Sequence, residues 1–303
     1  LIGYFLEHAE EQDWHLTVGD ISAELCEKKI SGHPRGRAIA FDVFNAAQRK
    51  EEISKADIIV SMLPASMHVE VAKECVELGK HLTTASYISK EMKALNDAAQ
   101  AKGLTLLNET GLDPGIDHLS AMKLIDEIRN DGGEIKHFES FTGGLVAPES
   151  DDNPWHYKFT WNPRNVVLAS QGGAVKFIHN GKHKYIPYHR VFRRTEYITI
   201  EGQGEFEGYA NRDSLSYVEV YGLHDVKTLY RGTLRKPGFS RSWDVFVQLG
   251  MTDDSYVMEG SETMTNRDFV NSFLPFSLRD NVELKLRAML KLDQDDRLMQ
   301  KLQ

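Results

Sequence analysis

The chain has 303 residues, of which 41% are hydrophobic and 27% charged, and its formal net charge is -9. This is the composition of an ordinary globular protein that is long enough for two domains. The negative charge and the lack of any basic block argue against nucleic acid and anionic membrane surfaces as partners. No apolar run approaches the roughly 20 residues that cross a bilayer. Two cysteines without a CxxC motif indicate no disulfide framework, so we expect a cytoplasmic protein.

The first half of the chain alternates strand patterns with helix patterns, after a helical stretch over residues 2–9. Strand patterns end at Asp20, Asp42, Pro64, Ser86 and Leu107, and helical patterns occupy residues 22–29, 45–54, 67–79 and 90–102. Such alternation with short connections is typical of an α/β fold, in which helices cover both faces of a parallel sheet. We therefore predict a Rossmann-type, doubly wound parallel sheet that forms a dinucleotide-binding domain over residues 1–116.

Asp20 has the spacing of a ribose ligand in such a domain, where an acid lies about 20 residues after the Gly-rich turn. Counting back places that turn just before residue 1, and the chain starts with Leu and both starts and stops inside helical patterns. We expect that the first strand, the phosphate loop and both natural ends lie outside this sequence. The alternative is that Asp20 is only a solvated acid at a strand end.

Asp20 favours NAD as the cofactor over NADP, because a carboxylate repels the 2′-phosphate of NADP, which usually binds an Arg. The nearest cation that follows Asp20 is Lys28. The strand that ends at Ser61, Leu63 and Pro64 lies where the nicotinamide side of the cofactor normally runs. This loop is expected to cover the dinucleotide with backbone groups and apolar surface.

Residues 104–118, LTLLNETGLDPGIDH, form the most chemically suggestive stretch of the chain. An apolar strand pattern delivers a loop rich in carboxylates, and the loop leads into a helical pattern. Ligands of open α/β sheets bind at the carboxyl ends of the strands, so chemistry is expected in this loop. The alternative is an ordinary strand–loop–helix connection in which Asp113 or Asp117 caps the helix.

The second half changes character, from alternating strands and helices to a predominantly antiparallel pattern. A helix is predicted over residues 117–131 and a hairpin around Asn180-Gly181, a strong turn signal between alternating runs. Further strand patterns occupy residues 136–142, 194–200 and 228–234, and residues 214–221 are helix-compatible. We predict an α+β substrate and dimerisation domain over 117–239 with a mostly antiparallel sheet. Amphipathic helices then form a helical insert, residues 240–303.

Several strings resemble saccharopine dehydrogenase of the glutamate-forming type, also called saccharopine reductase. They cover roughly residues 15 to 252 in the order and spacing of that family, and their joint occurrence is far more specific than one short motif. The strings are ASYIS (85–89), NETGLDPGIDH (108–118), GGLVAPESDDNP (143–154), YKFTW (157–161), YANRDS (209–214) and LYRGTLR (229–235). The family's Gly-rich turn and C-terminal return segment are not in this sequence.

The resemblance implies a reaction in lysine metabolism. Saccharopine would lose hydride from its ε-carbon to a nicotinamide cofactor, NAD or NADP, and the resulting imine would hydrolyse to glutamate and 2-aminoadipate 6-semialdehyde. The reverse direction would synthesise saccharopine. The cofactor performs the hydride chemistry, while the protein supplies orientation, proton transfer and charge complementarity.

The resemblance also assigns residues to this chemistry. The predicted catalytic residues are Asp113 and Tyr87, which follow strand ends of the same sheet. Asp113 would transfer protons, or else serve as an electrostatic partner of the iminium ion. The predicted substrate ligands are Ser86, Tyr87, Asn211, Arg212 and Arg231. The spacing and the strand ends described above, together with the resemblance, give the predicted cofactor ligands, which are Asp20, Ser61, Leu63, Pro64, Ala85, Ser86, Leu112 and Asp113.

The arginines suit a substrate that carries several carboxylates, since the guanidinium group binds a carboxylate through two hydrogen bonds. From the residues alone, the alternative for Arg231 and Arg235 is a surface strand paired with acids such as Glu219, and Arg212 fits an exposed arginine in a polar turn before a helix equally well. The histidines show no metal-ligand spacing, and we expect no metal. His118 at a helix start is more simply a capping or packed residue, and Trp161 a core aromatic.

Two alternative functions remain open at the level of the sequence. One is a related carboxyamine dehydrogenase, such as carboxynorspermidine dehydrogenase. The other is a catalytically silent dinucleotide-binding module, which the missing Gly-rich loop favours. For the enzyme we expect a small amino-acid substrate and a homodimer.

Overall fold

The computed structural model describes residues 1–160, 163–168, 173–293 and 296–302. The chain divides into two compact units, Leu1–Ser120 and Ala121–Gln303. Trp161 lies outside the described residues. None of the helices in the described part of the chain has the length and the hydropathy needed to cross a bilayer.

The first unit alternates helices and strands as the pattern predicts. Its helices are α1 (Ile2–Glu7), α2 (Ala23–Ile30), α3 (Ala46–Ser54), α4 (His68–Leu78), α5 (Lys90–Lys93) and α6 (Asn96–Ala101), and α7 (Ile116–Asn130) begins here and ends in the second unit. Its strands are β1 (Leu16–Asp20), β2 (Gly36–Ala40), β3 (Ile58–Ser61), β4 (His81–Thr84) and β5 (Leu106–Leu107).

The strands of the first unit are all parallel, which confirms the predicted α/β class. They form two sheets, a pair with the order β1-β2 and a three-stranded sheet with the order β3-β4-β5. In the second sheet Ser61 pairs with Thr84, so the carboxyl ends of β3 and β4 lie side by side. Apolar side chains of α3, α4 and β4 form the core of this unit, including Ile53, Val71 and Leu82.

Local side-chain chemistry sets the helix boundaries in this unit. The Ser22 hydroxyl and the Asn45 amide oxygen accept backbone N–H bonds at the starts of α2 and α3, as N-cap residues do. Gly79 ends α4 in the left-handed conformation, which costs glycine little. The helix predicted over 90–102 is two short helices, and β5 is two residues shorter than predicted because Leu104 and Thr105 stay outside the ladder.

The second unit is built on a mostly antiparallel sheet. Its strands are β6 (His137–Thr142), β7 (Val175–His179), β8 (Lys182–Ile186), β9 (Thr195–Ile200), β10 (Gly204–Ala210) and β11 (Thr228–Arg235). The order is β8-β7-β11-β10-β9, with β6 pairing parallel to β11. Asn180 and Gly181 form the β7–β8 turn as predicted, and both have positive φ.

Helices complete the second unit. They are α8 (Pro163–Val167), α9 (Tyr217–Val220), α10 (Phe239–Leu249), α11 (Asn266–Ser272), α12 (Val282–Leu290) and α13 (Arg297–Leu302). Helix α10 packs aromatic residues against the sheet, with Phe239 and Trp243 in the main core. On another side it supplies Val245 and Leu249 to a cluster that includes Leu286 of α12.

Candidate functional site

The loop after β5 is shaped by two glycines. The Gly111 N–H donates to the Pro114 carbonyl at 2.8 Å, and the Ile116 N–H donates to the Gly111 carbonyl at 3.0 Å. A Cβ atom on Gly115, whose φ is +152°, would lie 2.0 Å from the Gly111 oxygen. Only glycine fits this close approach of two backbone segments. The turn therefore fixes the position of Asp113, which lies between the two glycines.

Tyr87 and Asp113 meet in the first unit. The Tyr87 hydroxyl donates to Asp113 Oδ1 at 2.9 Å, and both side chains are half-buried. They come from the loops that follow the neighbouring strands β4 and β5. The structure thus brings together the two predicted catalytic residues at the carboxyl ends of parallel strands, where ligands of such sheets bind.

Asp117 has a different role from Asp113. Its side chain is buried, and Oδ1 accepts the Gly115 N–H at 2.7 Å at the start of α7. Asp117 is therefore the capping acid that the sequence left as an alternative. Asp113 is directed to Tyr87 instead.

Glu109 joins the β4 and β5 loops. Its N–H donates to the Ser86 carbonyl at 3.1 Å, and its Oε1 accepts the Ile88 N–H at 3.2 Å. Its Oε2 lies 3.1 Å from His118 Nε2. Glu109 adopts a φ of 58°, a conformation that non-glycine residues seldom take. Because its contacts flank Tyr87 on both sides along the chain, Glu109 holds the backbone that presents the tyrosine.

His68, the first residue of α4, is buried beneath the same loops. Its Nδ1 lies 2.8 Å from Ser61 Oγ, and its Nε2 lies 2.8 Å from Ser86 Oγ. Thr84 Oγ1 lies 3.3 Å from Nε2. Burial lowers the pKa of the His68 imidazole, so the neutral ring predominates at neutral pH. Sequence reasoning missed His68. The local trace in the sequence is that Ser61 and Ser86 give two apolar strand patterns polar ends, which does not identify the histidine that contacts them.

The predicted cofactor residues lie in the first unit, at or after strand ends. Asp20 is exposed at the end of β1, and its Oδ1 accepts the Ser22 N–H at 3.0 Å. The Ser61 hydroxyl faces His68, and Leu63 packs against the core. Ser61 and Leu63 therefore offer a ligand mainly their backbone.

Exposed groups complete this edge of the sheet. Pro64 is exposed, as are the large side chains of Met62 and Leu112, at 67% and 63%. Ala85 lies close to Gly111, where an added Cβ would be 3.1 Å from the Ala85 Cβ. The edge thus combines apolar side chains with the Tyr87–Asp113 pair, as a site for an apolar ring beside a polar reaction requires.

The predicted substrate arginines lie in the second unit. Arg231 of β11 is only 4% exposed, and its guanidinium carbon lies 4.3 Å from the centroid of the Tyr217 ring. The Arg231 N–H donates to the Ser214 hydroxyl at 3.0 Å. The Asn211 N–H donates to the Arg231 carbonyl at 2.9 Å. Backbone contacts therefore join the NRDS segment to β11.

Arg212 is exposed and has a φ of 45°. Its carbonyl accepts the Lys176 N–H at 3.0 Å, and Ser214 returns a bond to the Lys176 carbonyl at 2.8 Å. Strand β7 thus holds Arg212 in a conformation uncommon for a residue with a side chain. Such strain is frequent at binding sites.

The described residues contain no group of three histidine, cysteine, aspartate or glutamate side chains arranged to hold a metal ion. The chemistry that the first unit can supply is acid–base chemistry by a carboxyl group in hydrogen-bonding contact with a phenol.

Comparison with known proteins gives a consistent result. Residues 3–107 match the saccharopine dehydrogenase NADP binding domain, and residues 111–302 match the saccharopine dehydrogenase C-terminal domain. The chain is 39% identical over 241 residues to a Schizosaccharomyces pombe saccharopine dehydrogenase (NADP(+), L-glutamate-forming), covering 80% of this chain and 53% of that protein. It is 38% identical over 254 residues to the alpha-aminoadipic semialdehyde synthase of Arabidopsis thaliana, covering 82% of this chain and 24% of that protein.

A solved structure agrees with these sequence matches. The apo saccharopine dehydrogenase (L-Glu forming) of Saccharomyces cerevisiae has a TM-score of 0.82 and 28% identity, covering 99% of this chain and 68% of that one. The chain spans about half the length of the S. pombe relative. The predicted family and fold class are confirmed.

Proposed function

Because the chain belongs to the saccharopine dehydrogenase family, we propose that it catalyses hydride transfer between saccharopine and a nicotinamide dinucleotide. The products are glutamate and 2-aminoadipate 6-semialdehyde, and the reaction also runs in reverse. One observation carries the proposal: the 2.9 Å hydrogen bond between Tyr87 and Asp113 at the strand ends of the first unit.

The residues of this edge fit a dinucleotide. Met62 and Leu112 expose apolar side chains that suit the face of an aromatic ring, and Asp20 is exposed at the end of β1 for a ribose. When bound, the nicotinamide accepts the hydride that leaves the ε-carbon of saccharopine. The chain's own residues then need only orient the substrate and move protons.

Asp113 is proposed to manage the protons. The secondary amine of saccharopine must lose its proton as hydride leaves the neighbouring carbon, and the carboxylate accepts it. Water then adds to the substrate imine, and Asp113 relays protons as the carbon–nitrogen bond breaks and glutamate departs. Tyr87 holds Asp113 in place by donating its one hydroxyl hydrogen to the carboxylate. Once Asp113 has taken up a proton, the same hydrogen can be donated to charge that develops on the substrate.

Arg212 and Arg231 are proposed to bind carboxylates of the substrate, with Asn211 fixing the backbone beside them. The guanidinium of Arg231 is presented by a buried strand and by the Tyr217 ring. These contacts restrict the orientation of the planar guanidinium group and therefore the directions of its N–H donors.

NADP is the cofactor that the comparisons support, through the family model and the name of the S. pombe relative. They do not support the preference for NAD that Asp20 predicted. The Asp20 carboxylate also accepts the Ser22 N–H within its own turn, so one of its oxygens is already engaged in the absence of a ribose. We therefore propose NADP as the cofactor. The exposed Asp20 carboxylate is expected to weaken the preference for NADP over NAD without reversing it.

The test is a steady-state assay of the full chain with saccharopine, run with NADP and with NAD, alongside Tyr87→Phe and Asp113→Asn. Saccharopine-dependent reduction of NADP that is lost in Asp113→Asn would support the proposal. A folded protein that binds NADP but turns over no saccharopine would contradict it. The homodimer and the cytoplasmic location stay predictions, to be checked by light scattering and by imaging.

A further inference from the structure

His68 links the ends of two parallel strands from below the proposed site. It is 3% exposed and lies between Ser61, the last residue of β3, and Ser86, which follows β4. Ser86 precedes Tyr87 in the chain and is half-buried. Thus a buried imidazole contacts a hydroxyl that reaches the partly exposed edge next to the Tyr87–Asp113 pair.

The proton on the imidazole can be located from the burial of Ser61. Ser61 is 4% exposed, and within the described part of the chain the hydrogen bonds of its hydroxyl go to His68 Nδ1 alone. Buried hydroxyl hydrogens are nearly always donated to an acceptor. Thr84 Oγ1 is also buried and lies 3.5 Å from Nδ1 and 3.3 Å from Nε2, which is longer than either serine contact. The 2.8 Å contact of Ser61 is therefore assigned as the bond donated to Nδ1, which puts the ring proton of the neutral imidazole on Nε2.

The location of this proton sets the hydrogen bonding of Ser86. With the proton on Nε2, His68 donates to Ser86 Oγ at 2.8 Å. The Ser86 oxygen is then occupied as an acceptor from below, and its own hydrogen is available to point outward. In the other tautomer the Ser86 hydroxyl would donate its hydrogen to Nε2, and it could then act toward a ligand only as a hydrogen-bond acceptor.

We propose that His68 is a positioning residue that acts through Ser86, holding its hydroxyl as a hydrogen-bond donor to an oxygen of the bound ligand. Two sources have such an oxygen: a carboxylate of the amino-acid substrate and the carboxamide of the nicotinamide. The kinetic consequence rests on the proposed function, whereas the tautomer does not.

Two amide substitutions at position 68 test the contacts of the two ring nitrogens one at a time. Asparagine at position 68 places an amide group near Nδ1 and can still accept from Ser61, but it does not reach Ser86. Glutamine extends one bond further, to the position of Nε2, and can still donate to Ser86 while releasing Ser61. A purely structural histidine would give no reason for the longer side chain to be the more active.

We expect His68→Asn to keep a thermal midpoint close to the wild type and to lose about fivefold to tenfold in kcat/KM, the effect of one hydrogen bond. His68→Gln should be less stable but retain kcat/KM. The His68→Asn loss should vanish in a Ser86→Ala background, where the contact is already gone. Equal kcat/KM for the two amide variants, or an undiminished loss in the double variant, would overturn the proposal.

The source of the ligand oxygen follows from two readouts on the same proteins. A weaker Kd for NADPH in His68→Asn, measured by nucleotide fluorescence, identifies the nicotinamide. A raised KM for saccharopine with unchanged NADPH binding identifies the substrate.

An activity-independent experiment tests the tautomer itself. Proton–nitrogen NMR of the full chain with 15N-labelled histidine should show His68 neutral at pH 7.5, with the proton on Nε2. A proton on Nδ1 would refute the inference whether or not saccharopine is turned over. Conversely, a wild type without turnover but with the Nε2 tautomer would refute only the proposed function.

Discussion

The polar groups of the first unit are in contact with hydroxyl groups, whereas the buried cation of the second unit packs against the face of an aromatic ring. In the first unit, Asp113 accepts from Tyr87, and the His68 imidazole lies between two serine hydroxyls. In the second unit, Arg231 lies over Tyr217. Neutral donors can orient a group whose proton must move, while a ring stacked on a guanidinium restricts the plane in which its N–H groups point. The first arrangement suits proton transfer and the second suits binding.

The sharpest test of this contrast is Asp113→Asn, which removes the proton acceptor and keeps the size of the side chain. We expect kcat to fall about 10²- to 10⁴-fold, as loss of a general acid–base group does. The measurement is steady-state turnover with saccharopine. Tyr87→Phe is the comparison variant, and should cost less because it removes a hydroxyl donor but leaves the carboxylate that accepts the proton. An Asp113→Asn enzyme with wild-type rate and pH profile would remove Asp113 from the chemistry.

Arg231→Lys tests the binding side of the comparison. Lysine keeps the charge but loses the planar fork, so we expect KM for saccharopine to rise about 10- to 100-fold with a smaller change in kcat. Arg235→Lys serves as the control on the same strand. If kcat fell and KM did not change, Arg231 would belong with the proton-transfer groups.

Asp20→Asn addresses the cofactor at the edge of the first unit. Removing the negative charge should raise the ratio of kcat/KM for NADP to that for NAD about fivefold, the size of one charge–charge repulsion near water. The assay is repeated at high salt, where the change should shrink. An unaltered ratio would mean that Asp20 does not face the 2′ position.

The smallest expected effect concerns acid stability. Burial lowers the pKa of His68 in the folded state. Between the lowered pKa and the ordinary pKa of a histidine, His68 is therefore protonated in the unfolded chain but neutral in the folded protein. The stabilisation by the neutral ring is complete above the ordinary pKa and is lost as the pH falls through the lowered folded value. Urea unfolding at pH 7.5 and 5.5 should therefore show a smaller pH-dependent loss in His68→Gln than in the wild type. An equal loss in both proteins would show that other groups control acid unfolding.

Local patterns predicted the meeting of Tyr87 and Asp113, because both follow strands and parallel strands share one edge for their carboxyl ends. The His68 contacts could not be found in this way, since Ser86 lies 18 residues further along the chain. Their geometry depends on how far α4 sits from β4, which no short sequence window encodes.

Strand β10 was missed for a different reason. In its sequence, GEFEGYA, the acidic residue Glu207 suggests an exposed position, although the strand is buried there. In the structure Glu207 is 3% exposed. Its carboxylate can be buried because it accepts the Gly238 N–H at 2.9 Å and also the Ser240 N–H at the start of α10. A buried acid that serves a distant helix cannot be told from a solvent-facing one by its periodicity. The burial of a charge is a tertiary property.

The turn between Gly111 and Gly115 has a consequence for the timescale on which Asp113 can move. Three backbone amides are hydrogen-bonded within or next to the turn: that of Gly111 to the Pro114 carbonyl, that of Ile116 to the Gly111 carbonyl, and that of Gly115 to the Asp117 side chain. Amides closed in this way exchange with solvent only when the turn opens. The Asp113 carboxylate therefore lies on a turn whose Gly111, Gly115 and Ile116 amides should exchange with solvent more slowly than those of an open loop.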